Sequence, residues 1–325
     1  MIKACISGTG SYAPAKVLTN ADLERMVATS DEWIRERTGI RERRLAASGE
    51  ACSDLAVQAG KRALASAGLT ATDLDMILVA TCTGDYPIPA TACLVQHQLG
   101  ATKAAACDLS AACCGFVYAL SVADAYVKSG MRHVLVIGAE VMSAITDWTD
   151  RNTCVLFGDG AGAVVVSASD GEQGILSTHL RSDGTLCELI MVPGGGSRTP
   201  LSEKVVEERL QYIKMKGNET FKVAVRTLEE IARTTLSVNN LRVEDLDLYV
   251  PHQANIRILK AVIERLGLPV EKVLLNVDRY GNTSAASIPI ALDEAVREGR
   301  VKAGSLVMLG AFGAGLTWAS AVIRW

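Results

Sequence analysis

Apolar and polar positions along the chain fall into two alternating patterns. Longer stretches carry apolar residues three and four apart, and short runs are almost wholly Val, Ile, Leu, Met and Ala. The first pattern predicts helices and the second buried strands. On this basis residues 52–67 form a helix leading to a strand at 76–81, and residues 113–129 a helix leading to a strand at 133–138. The second half repeats the pattern, with helices at 219–238 and 285–298 before strands at 246–250 and 305–309. Helices alternating with short apolar strands predict an α/β protein with a mostly parallel sheet under helical cover. The 113–129 helix stands apart, because Ala, Val and Leu occur on nearly all its faces. It is expected to be buried rather than amphipathic.

The two halves match at a single offset. Leu69-Thr-Ala-Thr-Asp-Leu-Asp-Met-Ile-Leu78 parallels Leu241-Arg-Val-Glu-Asp-Leu-Asp-Leu-Tyr-Val250, so residue 69 falls on residue 241, an offset of 172. The same offset places Val134–Ala139 on Leu306–Ala311 and Ala119-Leu120 on Ala291-Leu292, with no gap. Three stretches in one register indicate an internal duplication. The boundary is expected near residue 170, where Ser169-Asp-Gly-Glu-Gln-Gly174 reads as a turn, giving halves of 1–170 and 171–325. Two such halves packed face to face would form a five-layer α/β/α/β/α sandwich, with buried helices between the sheets.

Composition narrows the class. The chain has 325 residues, 49% hydrophobic and 21% charged, which is enough apolar material for a large core. A net charge of −3 gives no large basic excess for nucleic acid. No apolar run is long enough for a membrane span. The N-terminus lacks the basic and apolar regions of a secretory leader, so a cytoplasmic protein is expected. Nine cysteines, an odd number without paired spacing, fit reduced thiols, and four scattered histidines give no zinc pattern. No metal is expected.

Two glycine-rich segments tempt a nucleotide reading. Phe157-Gly-Asp-Gly-Ala-Gly162 is followed by Ala163-Val-Val-Val-Ser167, a strand and not the helix a dinucleotide fingerprint requires. Gly310-Ala-Phe-Gly-Ala-Gly315 also lies between strands. Both are read as hairpin turns. The segment Asp108-Leu-Ser-Ala-Ala-Cys-Cys-Gly-Phe116 carries more chemistry. A strand leads through small residues to a helix opening at Cys113 or Cys114. A thiol at a helix N-terminus meets unpaired N–H groups that favour the thiolate and can hold an oxyanion. Two small cysteines buried in an Ala-rich interface would look the same. Partners are offered by His252, just after the 246–250 strand, and Asn282, just before the 285–298 helix. At the 172 offset His252 falls on Ala80 and Asn282 on Ser110, so both lie in counterparts of the loops flanking Cys113.

Ala111-Ala-Cys-Cys-Gly-Phe116, Pro251-His-Gln-Ala-Asn-Ile-Arg257 and Tyr280-Gly-Asn-Thr-Ser-Ala285 together resemble the condensing enzymes of the thiolase superfamily, most of all the β-ketoacyl-acyl-carrier-protein synthase III family. The resemblance extends to Asp31–Arg43, Asp150–Thr153, Phe157–Gly160, Pro193–Arg198, Met215–Lys222 and Ala311–Trp318. It implies a thiolase-like fold and an enzyme that starts fatty acid synthesis. That reaction is a decarboxylative Claisen condensation of a short acyl-CoA, acetyl-CoA foremost, with malonyl-acyl carrier protein. The products are 3-oxoacyl-acyl carrier protein, CO2 and CoA.

Carried over residue by residue, the resemblance makes Cys113 the nucleophile. His252 and Asn282 become donors to the enolate formed as CO2 leaves. The Cys113 and Ala314 N–H groups would form the oxyanion hole for the acyl carbonyl, beside Phe312. Trp33 would stack on the CoA adenine with Arg151 opposite, Arg37 would meet phosphate, and Asn218 and Asn255 would bond the pantetheine arm. Gln253, Ala254, Asn255, Ile256, Arg257 and Lys222 would receive the acyl carrier protein. One frequent basic position nearby is Glu264 here. Ile88 would reach the acyl pocket of the neighbouring subunit in a homodimer. No cofactor is implied, since the CoA thioester is a substrate. Two rivals share the fold: a starter-unit enzyme of secondary metabolism or a cofactor pathway, and an inert dimer partner. The inert partner would lack the cysteine. A degradative thiolase would carry a second cysteine near residues 310–318, where there is none.

Overall fold

The computed structural model describes residues 2–325. One sheet of five strands takes the spatial order Lys3–Tyr12, Asp159–Ser169, His133–Val141, Met76–Ala80, Ala105–Leu109. The last three run parallel, and the first two join antiparallel. A second sheet of four strands takes the order Gly174–Ser182, Thr317–Arg324, Leu306–Gly313, Leu248–Pro251. Its sense of pairing repeats that of the first four strands of the other sheet. The 172 offset therefore holds in space as well as in sequence. It places Met76 on Leu248 and Val134 on Leu306, each pair in equivalent strands.

The helices Gly115–Lys128 and Ser287–Arg297 lie between the sheets. Phe116, Leu120, Val127, Ile288 and Leu292 share one buried cluster with Val136 of the first sheet and Val307 of the second. This accounts for the all-round apolar sequence of the first helix, which has a sheet on each side. Outside the first sheet, Cys52–Ala67 packs Leu55, Ala59 and Ala63 against Leu135 and Val165. Outside the second, Gly217–Val238 and Ile256–Leu266 pack Leu228 and Val262 toward Met308 and Val322. The layers read α/β/α/β/α.

Both central helices start later than the periodicity predicts. A one-turn 3-10 helix, Ala112–Cys114, precedes Gly115–Lys128, and another, Ser284–Ala286, precedes Ser287–Arg297. Each turn opens on a left-handed L-residue, Ala112 at φ 44° and Ser284 at φ 49°, again 172 apart. Left-handed backbone cannot continue an α-helix, so the chain tightens for one turn before the helix proper. The Phe157–Gly162 segment also departs from expectation. Its glycines lead into and open the strand Asp159–Ser169 and make no hairpin. A Cβ on Gly162 would lie 2.5 Å from the Ile290 nitrogen, so glycine lets the Ser287–Arg297 helix lie directly on the strand. The Gly310–Gly315 segment does form the expected hairpin, between Leu306–Gly313 and Thr317–Arg324.

Among the described residues all nine cysteines are free, and no three or more His, Cys, Asp or Glu side chains gather in a metal-holding group. No described helix is long and apolar enough to cross a membrane.

Candidate active site

A cavity of about 240 Å³ is lined by Cys113, His252, Asn282 and Phe312, and also by Trp33, Arg37, Asn218, Asn255 and Arg257. The first group comes from the ends of central strands and helices in both halves. His252, Asn282 and Phe312 are buried. Arg37, Asn218 and Arg257 are exposed, so they mark the mouth.

Cys113 sits in the Ala112–Cys114 turn, half-buried. Its neighbour Cys114 points away from the cavity and donates its thiol to the Thr317 carbonyl at 3.2 Å. That separates the two cysteines, which the helix-start argument alone left equal. The hairpin strand presses close behind: a Cβ on Gly313 would stand 2.8 Å from the Cys113 nitrogen. The expected thiolate stabilisation is reversed. Burial pushes the Cys113 thiol up to about 12, and the Glu140 carboxylate adds to the rise.

His252 follows the strand Leu248–Pro251, and its N–H donates to the Gly310 carbonyl at 2.8 Å. Its Nδ1 lies 2.6 Å from the Ser287 hydroxyl oxygen. The Gln253 N–H donates to that same oxygen at 3.3 Å. With one lone pair of Ser287 Oγ taken by Gln253, the arrangement is satisfied by Ser287 giving its proton to Nδ1, the tautomer in which Nε2 carries the imidazole hydrogen. Burial lowers the His252 pKa to about 3, so the ring is neutral at ordinary pH. In that tautomer the neutral imidazole presents a donor at Nε2.

Asn282 is held by its backbone, whose N–H donates to the Leu156 carbonyl at 2.8 Å and whose carbonyl accepts from Gly158 at 3.1 Å. Its Oδ1 accepts the Ser284 N–H at 2.8 Å. The side-chain NH2 is left for the cavity, so Asn282 is a second donor. Gly158 is required here, since a Cβ would lie 2.3 Å from the Tyr280 carbonyl.

Toward the mouth, the helix Asp31–Thr38 is capped by the Ser30 hydroxyl, which accepts from the Trp33 N–H at 3.1 Å. The Arg151 guanidinium already lies on the Trp33 ring, 4.5 Å from its centroid. The expected sandwich is therefore closed, and a base could enter it only after Arg151 swings out. Lys222 and Arg257 are both exposed on adjacent helices.

Several expectations need correction. Gln253 is 1% exposed and cannot meet a carrier protein. Its Nε2 donates to the Pro251 and Leu274 carbonyls, and its Oε1 accepts from Asn276 and Val277. Asn255 caps the Ile256–Leu266 helix and donates to the Arg37 carbonyl at 3.0 Å, so its amide is largely committed. Gly313 lines the cavity and Ala314 does not. Ile256 covers Gly39, where a Cβ would stand 2.6 Å from it. Ile88 is 88% exposed and absent from its own chain's cavity. Glu140, Ser284 and Ser287 were not anticipated. Their one signal was polarity, a carboxylate in an apolar strand and hydroxyls in an Ala-rich helix start.

Family models described as 3-oxoacyl-[acyl-carrier-protein (ACP)] synthase III and its C-terminal region match residues 107–184 and 236–325. A β-ketoacyl-[acyl-carrier-protein] synthase III from Caldanaerobacter subterraneus subsp. tengcongensis is 55% identical over 325 residues, 100% of this chain and 98% of the relative. The chain belongs to the β-ketoacyl-acyl-carrier-protein synthase III family. The crystal structure of a 3-oxoacyl-[acyl-carrier-protein] synthase III from Aquifex aeolicus is 51% identical, covers 99% of this chain and 100% of its own, and superposes with a TM-score of 0.93. A priming β-ketosynthase of the R1128 polyketide biosynthetic pathway is 38% identical, with 99% and 96% coverage and a TM-score of 0.92. The fold is thiolase-like, and the chain is an acyl-transferring condensing enzyme that initiates fatty acid synthesis.

Proposed function

We propose that Cys113 takes the acyl group of a short acyl-CoA, acetyl-CoA foremost, and passes it to malonyl-acyl carrier protein. Cys113 Sγ attacks the acyl thioester carbon, and CoA leaves as its thiol. Malonyl-acyl carrier protein then loses CO2, and its carbanion attacks the acyl-cysteine carbonyl; the acyl–Sγ bond breaks, giving the 3-oxoacyl product and, after Sγ takes a proton, free Cys113. His252 Nε2–H and the Asn282 amide face the place where the enolate oxygen would develop. No proton has to be removed from the malonyl carbon, because CO2 leaves in its place. The single observation that carries this reading is that Cys113, His252 and Asn282 line one cavity.

The finer assignments go with it. Trp33, Arg37, Arg151 and Asn218 would hold CoA, which is a substrate rather than a cofactor. Lys222 and Arg257 would attract the acidic carrier protein. The halves 1–170 and 171–325 would be the two copies of the ancestral unit. A homodimer is supported by the unpaired edge strand Ala105–Leu109 and by the exposed Tyr86 and Ile88. An open edge strand is a template for a second chain. In such a dimer Ile88 would reach the partner's acyl pocket.

The polyketide-priming relative supports a second reading, in which longer or branched primers are preferred. Intact-mass detection of acyl-enzyme with acyl-CoAs of different length decides between the two. Acetyl loading followed by 3-oxoacyl product supports the first, and absence of any acyl-Cys113 refutes both. Ile88→Ala is expected to shift preference to longer chains and Ile88→Trp to restrict it to acetyl. Each fitted methylene is worth about 0.8 kcal/mol. An unchanged profile in both variants removes Ile88 from the pocket.

A further inference from the structure

Glu140 lies at the end of the strand His133–Val141, fully buried at 0% exposure, and no cation pairs with it among the described residues. Its two oxygens accept from Thr83 Oγ1 at 2.5 Å, Ser284 Oγ at 3.0 Å, the Cys82 N–H at 3.1 Å and Thr81 Oγ1 at 3.2 Å. The Cys82 thiol donates at 3.3 Å. Thr83 Oγ1 in turn accepts from the Val141 N–H, and Thr81 Oγ1 from the Thr83 N–H. Both hydroxyl protons are left free to be given to Glu140. Burial raises the Glu140 pKa, and the hydrogen bonds from Thr83, Cys82 and Ser284 pull it back down, so the group is poised to take up a proton. Buried carboxylates without a cation are costly, and sites of chemistry are where proteins keep them.

The Ser284 hydroxyl lies between this carboxylate and the turn that bears the nucleophile. Ser284 opens the one-turn helix that packs against the Ala112–Cys114 turn, its Oγ donates to Glu140 at 3.0 Å, and it lowers the Cys113 pKa against the effect of burial. Its left-handed φ of 49° aims the side chain while its N–H caps Asn282 Oδ1. The acylation step needs an acceptor for the Cys113 proton. His252 is poorly suited, because Nδ1 is engaged by Ser287 and burial holds the ring neutral. Cys82, the other titratable group at Glu140, is itself a donor to it.

We propose that Ser284 and Glu140 form the proton relay for Cys113. As Cys113 Sγ bonds to the acyl carbon, its proton passes to Ser284 Oγ, and the Ser284 proton passes to Glu140. When the acyl–CoA C–S bond breaks, the proton returns along the same pair to the departing CoA sulfur, so no proton is gained or lost overall. Glu140 acts through Ser284 as a positioning residue. Burial, with the Glu140 carboxylate adding to it, keeps Cys113 a thiol until substrate arrives.

This inference rests on the condensing-enzyme reading, and the test separates the two. Acyl-Cys113 formation from acetyl-CoA is followed by quenched-flow intact mass at pH 6.5 to 9.5 for the wild type, Ser284→Ala and Glu140→Gln. Decarboxylation of malonyl-acyl carrier protein is measured on pre-acylated enzyme. Loss of a general base is expected to cost about 10² to 10⁴ in rate. Ser284→Ala should slow acylation about 100-fold more than decarboxylation. Its residual acylation should climb about tenfold per pH unit, as hydroxide replaces the relay, while the wild type stays nearly flat. Glu140→Gln should show the same climb. Equal loss in both half-reactions, or a pH profile parallel to the wild type, overturns the relay. If Glu140→Gln does not fold, Ser284→Ala alone decides, since its position already accommodates a left-handed residue as Ala112 does. A wild type that forms no acyl-Cys113 refutes the condensing-enzyme reading instead.

Discussion

The turn Ala112–Cys114 and the turn Ser284–Ala286 are the same piece of backbone used for two purposes. Both are single 3-10 turns entered at positive φ, both precede a buried central helix, and both lie in the middle layer. In the first, Cys113 turns its sulfur to the cavity. In the second, the equivalent Ala285 packs into the core, and Gly138 meets it so closely that a Cβ there would lie 2.3 Å from the Ala285 carbonyl. The flanking positions diverge likewise. Ala80 and Ser110 bear no long side chain, whereas their counterparts His252 and Asn282 are the donors. Duplication supplied two equivalent scaffolds meeting face to face. Each could then be simplified to the half of the chemistry the other lacks.

The largest test of that division is to move the nucleophile. Cys113→Ser should lower acyl-enzyme formation by more than about 10³-fold, while Cys114→Ser retains most of it. Cys113→Ala combined with Ala285→Cys should stay inactive by intact mass, because Ala285 is 1% exposed and does not line the cavity. Acylation at residue 285 would show the two turns to be interchangeable.

The donor half comes next. His252→Ala and Asn282→Ala should each slow malonyl decarboxylation about 10² to 10³-fold, the usual cost of one oxyanion donor, and still form detectable acyl-Cys113. Normal CO2 release from both would remove them from the enolate site. Ser287 and its counterpart Gly115 sharpen the contrast further. Ser287→Ala should cost roughly tenfold in decarboxylation by freeing the imidazole tautomer, with acylation little changed. Gly115→Ser should instead destabilise the protein by about 1–3 kcal/mol in urea unfolding, since its Cβ would meet Ala80 Cβ at 3.0 Å.

The smallest effect is in pH-dependent stability, where the two halves have opposite signs. Folded Cys113 keeps its proton to about 12, so above the ordinary thiol range the unfolded chain ionises first and stability falls as pH rises. Folded His252 refuses a proton down to about 3, so below the ordinary imidazole range the unfolded chain binds more protons and stability falls as pH drops. Each limb should approach about 1.4 kcal/mol per pH unit. His252→Gln should flatten only the acid limb and Cys113→Ala only the alkaline one, read from urea midpoints. An unchanged acid limb in His252→Gln would mean that residue is charged in the folded protein.

The duplication, the layer order and the Cys–His–Asn set were legible because they rest on local signals. Periodicity marks a helix, and an unbroken apolar run marks one with sheets on both sides. A fixed offset of 172 ties the halves together without any structure. The glycines from Gly158 to Gly162 were misread as a hairpin because glycine permits both a turn and a close helix approach. Only the neighbouring Ile290 backbone distinguishes them. Gln253 was misplaced for a related reason. Its side chain looks polar and available in sequence, yet it is enclosed by the Pro251 carbonyl and by three backbone groups from the 274–277 segment.

The sequence by itself placed the candidate residues on strand and helix ends of each half, since that depends on residue type and local spacing. Tertiary structure decided their protonation. Whether Cys113 is a thiol or a thiolate depends on burial and on a carboxylate 27 positions further along the chain. Whether His252 donates or accepts depends on the hydroxyl of Ser287, 35 residues away in sequence. Charge and hydrogen-bond direction are set by what lies within a few ångströms in space, and the folded chain brings those groups from positions that local pattern does not connect.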